Sequence, residues 1–252
     1  MAYEVKEEAP AGIQKAGFMT RALTSTVFAL VWLGGVWLGL RFYVLPLLCV
    51  IVAVIGVHEF IQLTKGRLAT WASVALGCLY LVVPLACLVR LRAYSFGGYL
   101  PELGFTEVGL GLTITLLFSI WGADTAAYIF GSLFGRHKLS PKLSPKKSWE
   151  GAIAGFIVSM TFWALLPRLF FSGGLGLFGL GAPSSAAFGL VIALAGLGGD
   201  LFESWLKRRA GVKDSGTILP GHGGILDRFD SLLAAAPIAL ILAAVMITSV
   251  VR

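Results

Sequence analysis

The sequence predicts an all-α, polytopic membrane protein. Of its 252 residues, 57% are hydrophobic and only 13% are charged, and the mean hydropathy is +0.86. Apolar runs recur from residue 22 to the C-terminus, and each has about 20 residues, the length that crosses a hydrocarbon core of about 30 Å. The runs are continuous rather than alternating, which is typical of helices. We therefore expect a transmembrane helical bundle of about seven to nine membrane helices.

The apolar runs give the expected helices in chain order. They are 22–40, 42–63, 70–90, 105–135, 149–167, 184–206 and 229–251. The run 105–135 is interrupted by Trp121-Gly122-Ala123-Asp124, so we expect short or broken helices around 105–135. Proline within the other runs is tolerated when neighbouring helices satisfy the freed carbonyl groups.

The net charge of +7 does not indicate nucleic-acid binding, because no basic soluble domain is present to carry it. Basic residues in such a chain determine its orientation in the membrane and bind anionic lipid or nucleotide phosphate. Most Lys and Arg residues lie on one side if the N-terminus is cytoplasmic and 105–135 crosses an odd number of times. The three cysteines lie in apolar runs and are expected to be small core residues rather than ligands or disulfides.

Residues 200–231 are the most polar stretch between apolar runs. Asp200, Glu203, Ser204 and Lys207 are spaced to share one helical face. Proline and glycine from Leu219 to Gly224 break the helix. Acidic residues then open the next apolar run, where they complement the positive end of a helix. The stretch predicts carboxylates for a cation, and amides with Lys and Arg for phosphate. A loop that only sets topology would explain the basic residues but not the acids or glycines.

Residues 121–151 form a second candidate site. Asp124 lies in an apolar stretch, and such an acid usually faces a cavity, a cation or a basic partner, or else reaches water at a helix break. Five basic residues follow it: Arg136, Lys138, Lys142, Lys146 and Lys147. Lys146 and Lys147 are expected at the start of a helix. His58-Glu59, near the end of the second run, is expected to pair with Lys65 or Arg67.

The motifs in these stretches resemble those of one family. The spacings are Ser204-x-x-Lys207-Arg208, Lys213-Asp214-x-Gly216 and Pro220-x-His222-Gly223-Gly224-x-x-Asp227-Arg228-x-Asp230. Together they resemble the signature of phosphatidate cytidylyltransferases, also called CDP-diacylglycerol synthases. Ser144-Pro145-Lys146-Lys147-Ser148-Trp149-Glu150-Gly151 and Asp124-Thr125-Ala126-Ala127-Tyr128 resemble two further motifs of that family. The resemblance covers residues 120–231.

The resemblance implies the reaction of CTP with phosphatidate to give CDP-diacylglycerol and pyrophosphate. Together with the charge pattern described above, it gives the candidate catalytic residues Asp200, Asp227, Lys207, Arg208, Lys213, Asp214, Arg228 and Asp230. The candidate substrate-binding residues are Ser144, Lys146, Lys147, Trp149, Glu150, Ser204, Gly221, His222, Gly223, Gly224 and Asp124. Mg²⁺ is expected on Asp200 and Asp227, with Asp230 and Asp124 as second choices. A second cation, such as K⁺, is left open.

These motifs divide the chain into a cytoplasmic lead-in (1–20), N-terminal membrane helices (21–104) and a catalytic membrane region (105–252) with inner loops 136–148 and 207–228. The expected partners are CTP, phosphatidate and membrane lipid, with no nucleic acid and, by analogy with the family, a homodimer. The expected location is the cytoplasmic membrane with the site towards the cytoplasm. The alternatives are a CTP-dependent polyprenol kinase, another lipid cytidylyltransferase, or an ion-coupled transporter.

Overall fold

A computed structural model describes residues 11–38, 43–93, 106–167, 181–218 and 223–250. The described helices are α1 (Ala11–Leu38), α2 (Val44–Thr64), α3 (Thr70–Arg92), α4 (Thr106–Phe134), α5 (Trp149–Leu165), α6 (Ala182–Ala210) and α7 (Leu226–Val250). Two short strands, β1 (Lys138–Ser140) and β2 (Ser144–Ser148), lie between α4 and α5. The first helix begins at Ala11, within the predicted lead-in.

Within the described ranges, five helices are long and apolar enough to cross a membrane. They are Val44–Thr64, Thr70–Arg92, Val108–Phe134, Ala182–Ala210 and Leu226–Val245. Two shorter apolar helices, Thr26–Leu38 and Trp149–Leu165, accompany them. Many large apolar side chains on these helices are exposed, as expected where lipid covers the outer surface. The predicted all-α class is confirmed, and the protein is a multi-pass membrane protein.

The predicted break in 105–135 is wrong, because α4 is one continuous helix. The glycine that suggested a break serves packing instead. A Cβ atom on Gly122 would lie 2.4 Å from the Phe162 ring of α5. Glycine costs an exposed helix about 1 kcal/mol, but here it lets two helices approach closely, as small residues commonly do in membranes. Asp124 therefore projects from an intact helix rather than from a helix end.

The basic segment after α4 forms an antiparallel hairpin, in which Lys138 pairs with Ser148 and Ser140 with Ser144. Lys146 and Lys147 lie in β2, so their predicted place at the start of a helix is wrong. The helix begins after Ser148, whose hydroxyl accepts a hydrogen bond from the Gly151 amide at 3.2 Å, as an N-cap residue does. The strand β2 thus places both lysines immediately before the N-terminus of α5.

Glycine also sets the spacing of the helices that follow. A Cβ atom on Gly151 would lie 2.6 Å from the Ala127 carbonyl oxygen of α4, and one on Gly189 would lie 2.6 Å from the Ser159 carbonyl oxygen of α5. One on Gly199 would lie 2.4 Å from the Asp230 carbonyl oxygen of α7. The helices α4, α5, α6 and α7 therefore pack at distances that side chains at these positions would prevent.

This packing gives a prediction with an internal control. We expect Gly199→Ala to destabilise the protein by about 1–3 kcal/mol, because overpacking forces backbone shifts of that cost. Gly198→Ala should leave stability unchanged or raise it by up to about 1 kcal/mol, since no atom lies within 4 Å of a Cβ at Gly198. Thermal unfolding in detergent compares the two variants. Equal unfolding temperatures would contradict the assigned contact between α6 and α7.

Candidate active site

A cavity of about 590 Å³ lies among α4, the hairpin, α5 and α6, with Ser231 of α7 also at its wall. Its charged lining residues are Asp124, Lys138, Lys146, Lys147 and Asp200. Much of the remaining wall is glycine, alanine and serine. The structure therefore brings residues of the stretch 121–151 together with Asp200 and Ser231 of the stretch 200–231, at one cavity with both signs of charge.

Lys147 and Asp200 form an ion pair across this cavity wall. The other carboxylate oxygen of Asp200 accepts a hydrogen bond of 3.4 Å from Ser204, one turn along α6. Burial lowers the pKa of Lys147, and the nearby carboxylates of Asp230 and Asp124 oppose that effect. An ammonium group that is partly stripped of water gains more from an anionic partner than one in bulk solvent does. Lys147 is thus suited to meeting a phosphate group.

A second ionic cluster lies beside the first and centres on Lys207. The Lys207 ammonium donates to Glu203 Oε2 at 2.8 Å and to Asp227 Oδ1 at 2.5 Å. Glu203 is completely buried, and its Oε1 has no hydrogen-bond partner within the described part of the chain. The cluster therefore holds two carboxylates against one ammonium and retains an unsatisfied acceptor, which is costly in a buried site.

Asp227, in the first turn of α7, organises the loop between α6 and α7. Its Oδ2 accepts hydrogen bonds from the Ser215 amide at 2.8 Å, the Ser215 hydroxyl at 2.9 Å and the Gly224 amide at 2.8 Å. Gly223 has φ of +82°, and a Cβ there would lie 2.6 Å from Asp227 Oδ2. Glycine is thus required at 223 for both its conformation and its close approach.

Asp230 lies between the two clusters. Its Oδ1 accepts the Ser231 amide at 2.6 Å. Its carboxylate also interacts electrostatically with Lys147, Lys207 and Asp227, and with Asp124. Asp124 lines the main cavity and also a small adjoining one that includes Arg228 and Asp230. The predicted acids thus form one continuous charged region.

Other predicted residues lie at its edge. Arg208 is exposed and donates to the Val212 carbonyl at 3.0 Å and the Leu143 carbonyl at 3.4 Å. The remaining exposed or half-exposed ones are Ser144, Trp149, Lys213, Asp214 and Arg228. Gly221 and His222 lie outside the described residues. The outer members are therefore placed to meet groups that extend from the cavity towards solvent.

Glu150 opens α5 beside the hairpin and contacts His137. Its Oε1 lies 2.6 Å from His137 Nδ1, and the His137 backbone amide also donates to this carboxylate, at 3.2 Å. Hydrogen bonds from its own backbone amide and from the His137 side chain lower the pKa of Glu150 to about 2. These contacts connect the base of the hairpin to α5, a local structural role beside the predicted role in substrate binding.

Sequence reasoning missed the contacts that Glu59 and Ser215 make. The expected pairing of Glu59 with Lys65 or Arg67 is wrong. Glu59 is 3% exposed, and it accepts hydrogen bonds from the Ser215 hydroxyl and from the amides of Ile225 and Leu226. The available signal was a carboxylate inside an apolar run, which usually has a specific buried partner.

The predicted metal ligands do not form a complete metal site by themselves. Within the described ranges, no three acidic, histidine or cysteine side chains are grouped to hold one metal ion. Mg²⁺ commonly takes one or two protein carboxylates and completes its octahedron with phosphate and water. Asp200 fits that role because it lines the cavity, and a metal there would take the place of its contacts with Lys147 and Ser204. Asp227 fits less directly, since it is not among the residues that line the cavity and its two oxygens accept hydrogen bonds from Lys207, Ser215 and Gly224.

The fold and the site together define the class of protein. It is a multi-pass membrane protein whose helical bundle has a cavity lined by acids and lysines, which suits it to bind charged groups. Comparison with known proteins gives the particular family. A model of the cytidylyltransferase family matches residues 66–246. The chain belongs to this family, and it is a nucleotidyltransferase.

Several relatives are named phosphatidate cytidylyltransferase. One from Brucella melitensis biotype 1 is 38% identical over 194 residues, which cover 73% of this chain and 68% of the relative. One from Staphylococcus haemolyticus is 42% identical over 156 residues, covering 62% of this chain and 57% of the relative. One from Thermotoga maritima is 42% identical over 137 residues, covering 54% and 50%.

Proposed function

We propose that this protein transfers the cytidylyl group of CTP to phosphatidate, which gives CDP-diacylglycerol and pyrophosphate. The observation that carries the proposal is the cavity where Asp124, Lys147 and Asp200 meet within a membrane-spanning bundle. The phosphates of both substrates need charged groups to bind them, and the lipid substrate needs those groups to lie next to the membrane. Family membership and the names of the relatives support the same reaction.

The reaction places modest demands on acid–base chemistry. The attacking group is a phosphate monoester oxygen, and its second pKa of about 6 leaves it largely deprotonated at neutral pH. Attack on the α-phosphorus forms the new P–O bond, and the bond to the β-phosphate breaks with its electron pair going to pyrophosphate. A general base is not required. Catalysis then depends on positioning two polyanions and neutralising their charge.

The basic side chains divide among three tasks in this proposal. Lys147 and Lys146, on the strand above α5, face the cavity and hold nucleotide phosphates. Lys207 holds Asp227 and Glu203 in place, while the exposed Arg208, Lys213 and Arg228 meet pyrophosphate or the lipid phosphate. The glycine-rich loop 221–224 adds backbone amides, which are good phosphate donors.

Mg²⁺ is part of the proposal. Asp200 would hold it first, with Asp124 or Asp230 nearby and the substrate phosphates as further ligands. Bound there, Mg²⁺ supplies charge neutralisation on the phosphates. Asp227 remains the second predicted ligand, and its use would require Lys207 to leave Oδ1. The cytoplasmic membrane, with this cavity open to cytoplasmic CTP, is the proposed location.

The test is an assay of the purified protein in detergent with CTP, phosphatidate and Mg²⁺. We expect pyrophosphate and a CDP-lipid of matching mass in equal amounts, both dependent on phosphatidate. A phosphorylated lipid with release of CDP, formed from a polyprenol or another lipid alcohol, would instead identify a kinase. Absence of any lipid product with phosphatidate would reject the proposal, and uptake of ions into proteoliposomes would then favour a transporter.

A further inference from the structure

Glu59 lies outside every motif that resembles the family signature, yet its side chain reaches the centre of that signature. It sits near the end of α2 and is 3% exposed. Its Oε1 accepts the Ile225 amide at 2.9 Å, and its Oε2 accepts the Leu226 amide at 2.9 Å. These donors are more than 160 residues away in the chain. The contact is therefore tertiary and connects α2 to the start of α7.

The chemistry of the contact suits a carboxylate. The first amides of a helix have no acceptor within the helix, and the positive end of the helix dipole favours an anion there. Hydrogen bonds to a charged acceptor are stronger than those between neutral groups. Glu59 satisfies two such amides, one with each oxygen. It thereby fixes both the position and the direction of the first turn of α7.

The same carboxylate is joined to Asp227 through one hydroxyl group. Ser215 Oγ lies 3.0 Å from Glu59 Oε2 and 2.9 Å from Asp227 Oδ2. Ser215 is itself buried. Asp227 is only one residue beyond Leu226, whose amide Glu59 holds. Glu59 is therefore connected to Asp227 in two ways: through the backbone at Leu226 and through the Ser215 hydroxyl.

Two glycines of the loop show how closely the chain is wrapped around Glu59. A Cβ on Gly216 would lie 2.6 Å from Glu59 Oε1, and one on Gly224 would lie 2.5 Å from Glu59 Oε2. Neither position has room for a larger residue without moving the carboxylate. The backbone at Gly216 and at Gly224 therefore packs closely against the two oxygens of the Glu59 carboxylate.

We propose that Glu59 is a positioning residue for the reaction: it anchors Ser215 and the segment 224–226, where α7 begins, so that Asp227 and the Gly224 amide are held in their working places. This role rests on the proposed cytidylyl transfer and acts through Asp227 and Ser215. Glu59 itself need not touch either substrate.

The experiment compares Glu59→Gln and Glu59→Ala with the wild type, and uses His58→Gln as control because His58 is the exposed neighbour on α2. Hydrogen exchange of peptides that cover residues 215–230 is measured in detergent. In the wild type, the Ile225 and Leu226 amides should be as protected as the interior of α7. Glu59→Ala should speed their exchange by roughly 10- to 100-fold. Glu59→Gln keeps one oxygen and should fall between, while His58→Gln should match the wild type.

Kinetics separates positioning from simple loss of structure. Glu59→Gln should lower kcat for CDP-lipid by about 10- to 100-fold, with a much smaller change in KM for CTP, because the cavity walls of α4, the hairpin and α5 are untouched. Unprotected Ile225 and Leu226 amides in the wild type, or full kcat in Glu59→Gln, would overturn the proposal. A wild type that makes no CDP-lipid would reject the proposed function, while hydrogen exchange would still decide the contact.

Discussion

Asp227→Asn should reduce CDP-lipid formation by about 10²- to 10³-fold, the usual cost of losing a preorganised electrostatic group. Asp227 accepts from Lys207 on Oδ1 and from the Ser215 and Gly224 amides on Oδ2. Its Oδ2 also shares the single proton of the Ser215 hydroxyl with Glu59. Asparagine has one oxygen and one NH₂ group. In either orientation of the amide, its NH₂ group faces donors. Either the Lys207 ammonium or the donors of Ser215 and Gly224 therefore lose their acceptor.

The comparison variant for this prediction is Ser215→Ala. It removes the hydroxyl that bridges Asp227 and Glu59 but leaves the Ser215 and Gly224 amides on Asp227, so its loss of activity should be several-fold smaller. Turnover by both variants is measured with CTP, phosphatidate and Mg²⁺, after size-exclusion chromatography has shown equal folding. Undiminished turnover by Asp227→Asn would remove Asp227 from the site and leave the proposed reaction intact.

Lys207→Met should lower the free energy of unfolding by about 3–5 kcal/mol, since removing one partner of a buried ion pair leaves an uncompensated charge. Here two carboxylates, Glu203 and Asp227, lose their shared ammonium. The double variant Lys207→Met with Glu203→Gln should recover part of that stability, because one buried charge is then gone. Its activity should stay low, since Lys207 is still absent and Asp227 is still unpaired.

Arg209→Met provides the matched control on the same helix. Arg209 is exposed and stacks over Trp205, with its guanidinium carbon 5.0 Å from the ring centroid. Its removal should cost at most about 1 kcal/mol. Thermal unfolding in detergent and turnover are measured for all three variants. A Lys207→Met protein as stable as Arg209→Met would show that the buried cluster contributes little.

The sequence predicted the helical membrane class because each apolar run is long enough to span lipid by itself. It also predicted the local arrangement of those candidate site residues that are close in the chain. Asp200, Ser204 and Lys207 share one face of α6, as their spacing indicates, and Asp227 lies in the first turn of α7. These are local features, so helical periodicity and helix-end preferences are sufficient to find them.

What the sequence did not predict depends on contacts that no local pattern of residues reveals. The continuity of α4 through Gly122 follows from Phe162 on α5, which no local pattern contains. The hairpin 138–148 depends on pairing between two short polar segments without strand alternation. The partners of Glu59 are separated from it by most of the chain. For α4 and Glu59, propensity or charge alone favoured a local interpretation, and tertiary packing determined the result.

The most direct test of the central claim follows each phosphate of CTP separately. The purified protein is given phosphatidate, Mg²⁺ and CTP that carries ³²P either at the α- or at the γ-position. Cytidylyl transfer predicts that α-label enters the lipid fraction and that γ-label appears only in pyrophosphate, with CDP-diacylglycerol as the labelled lipid. Transfer of γ-label to lipid would contradict the account and identify a kinase that uses the same nucleotide.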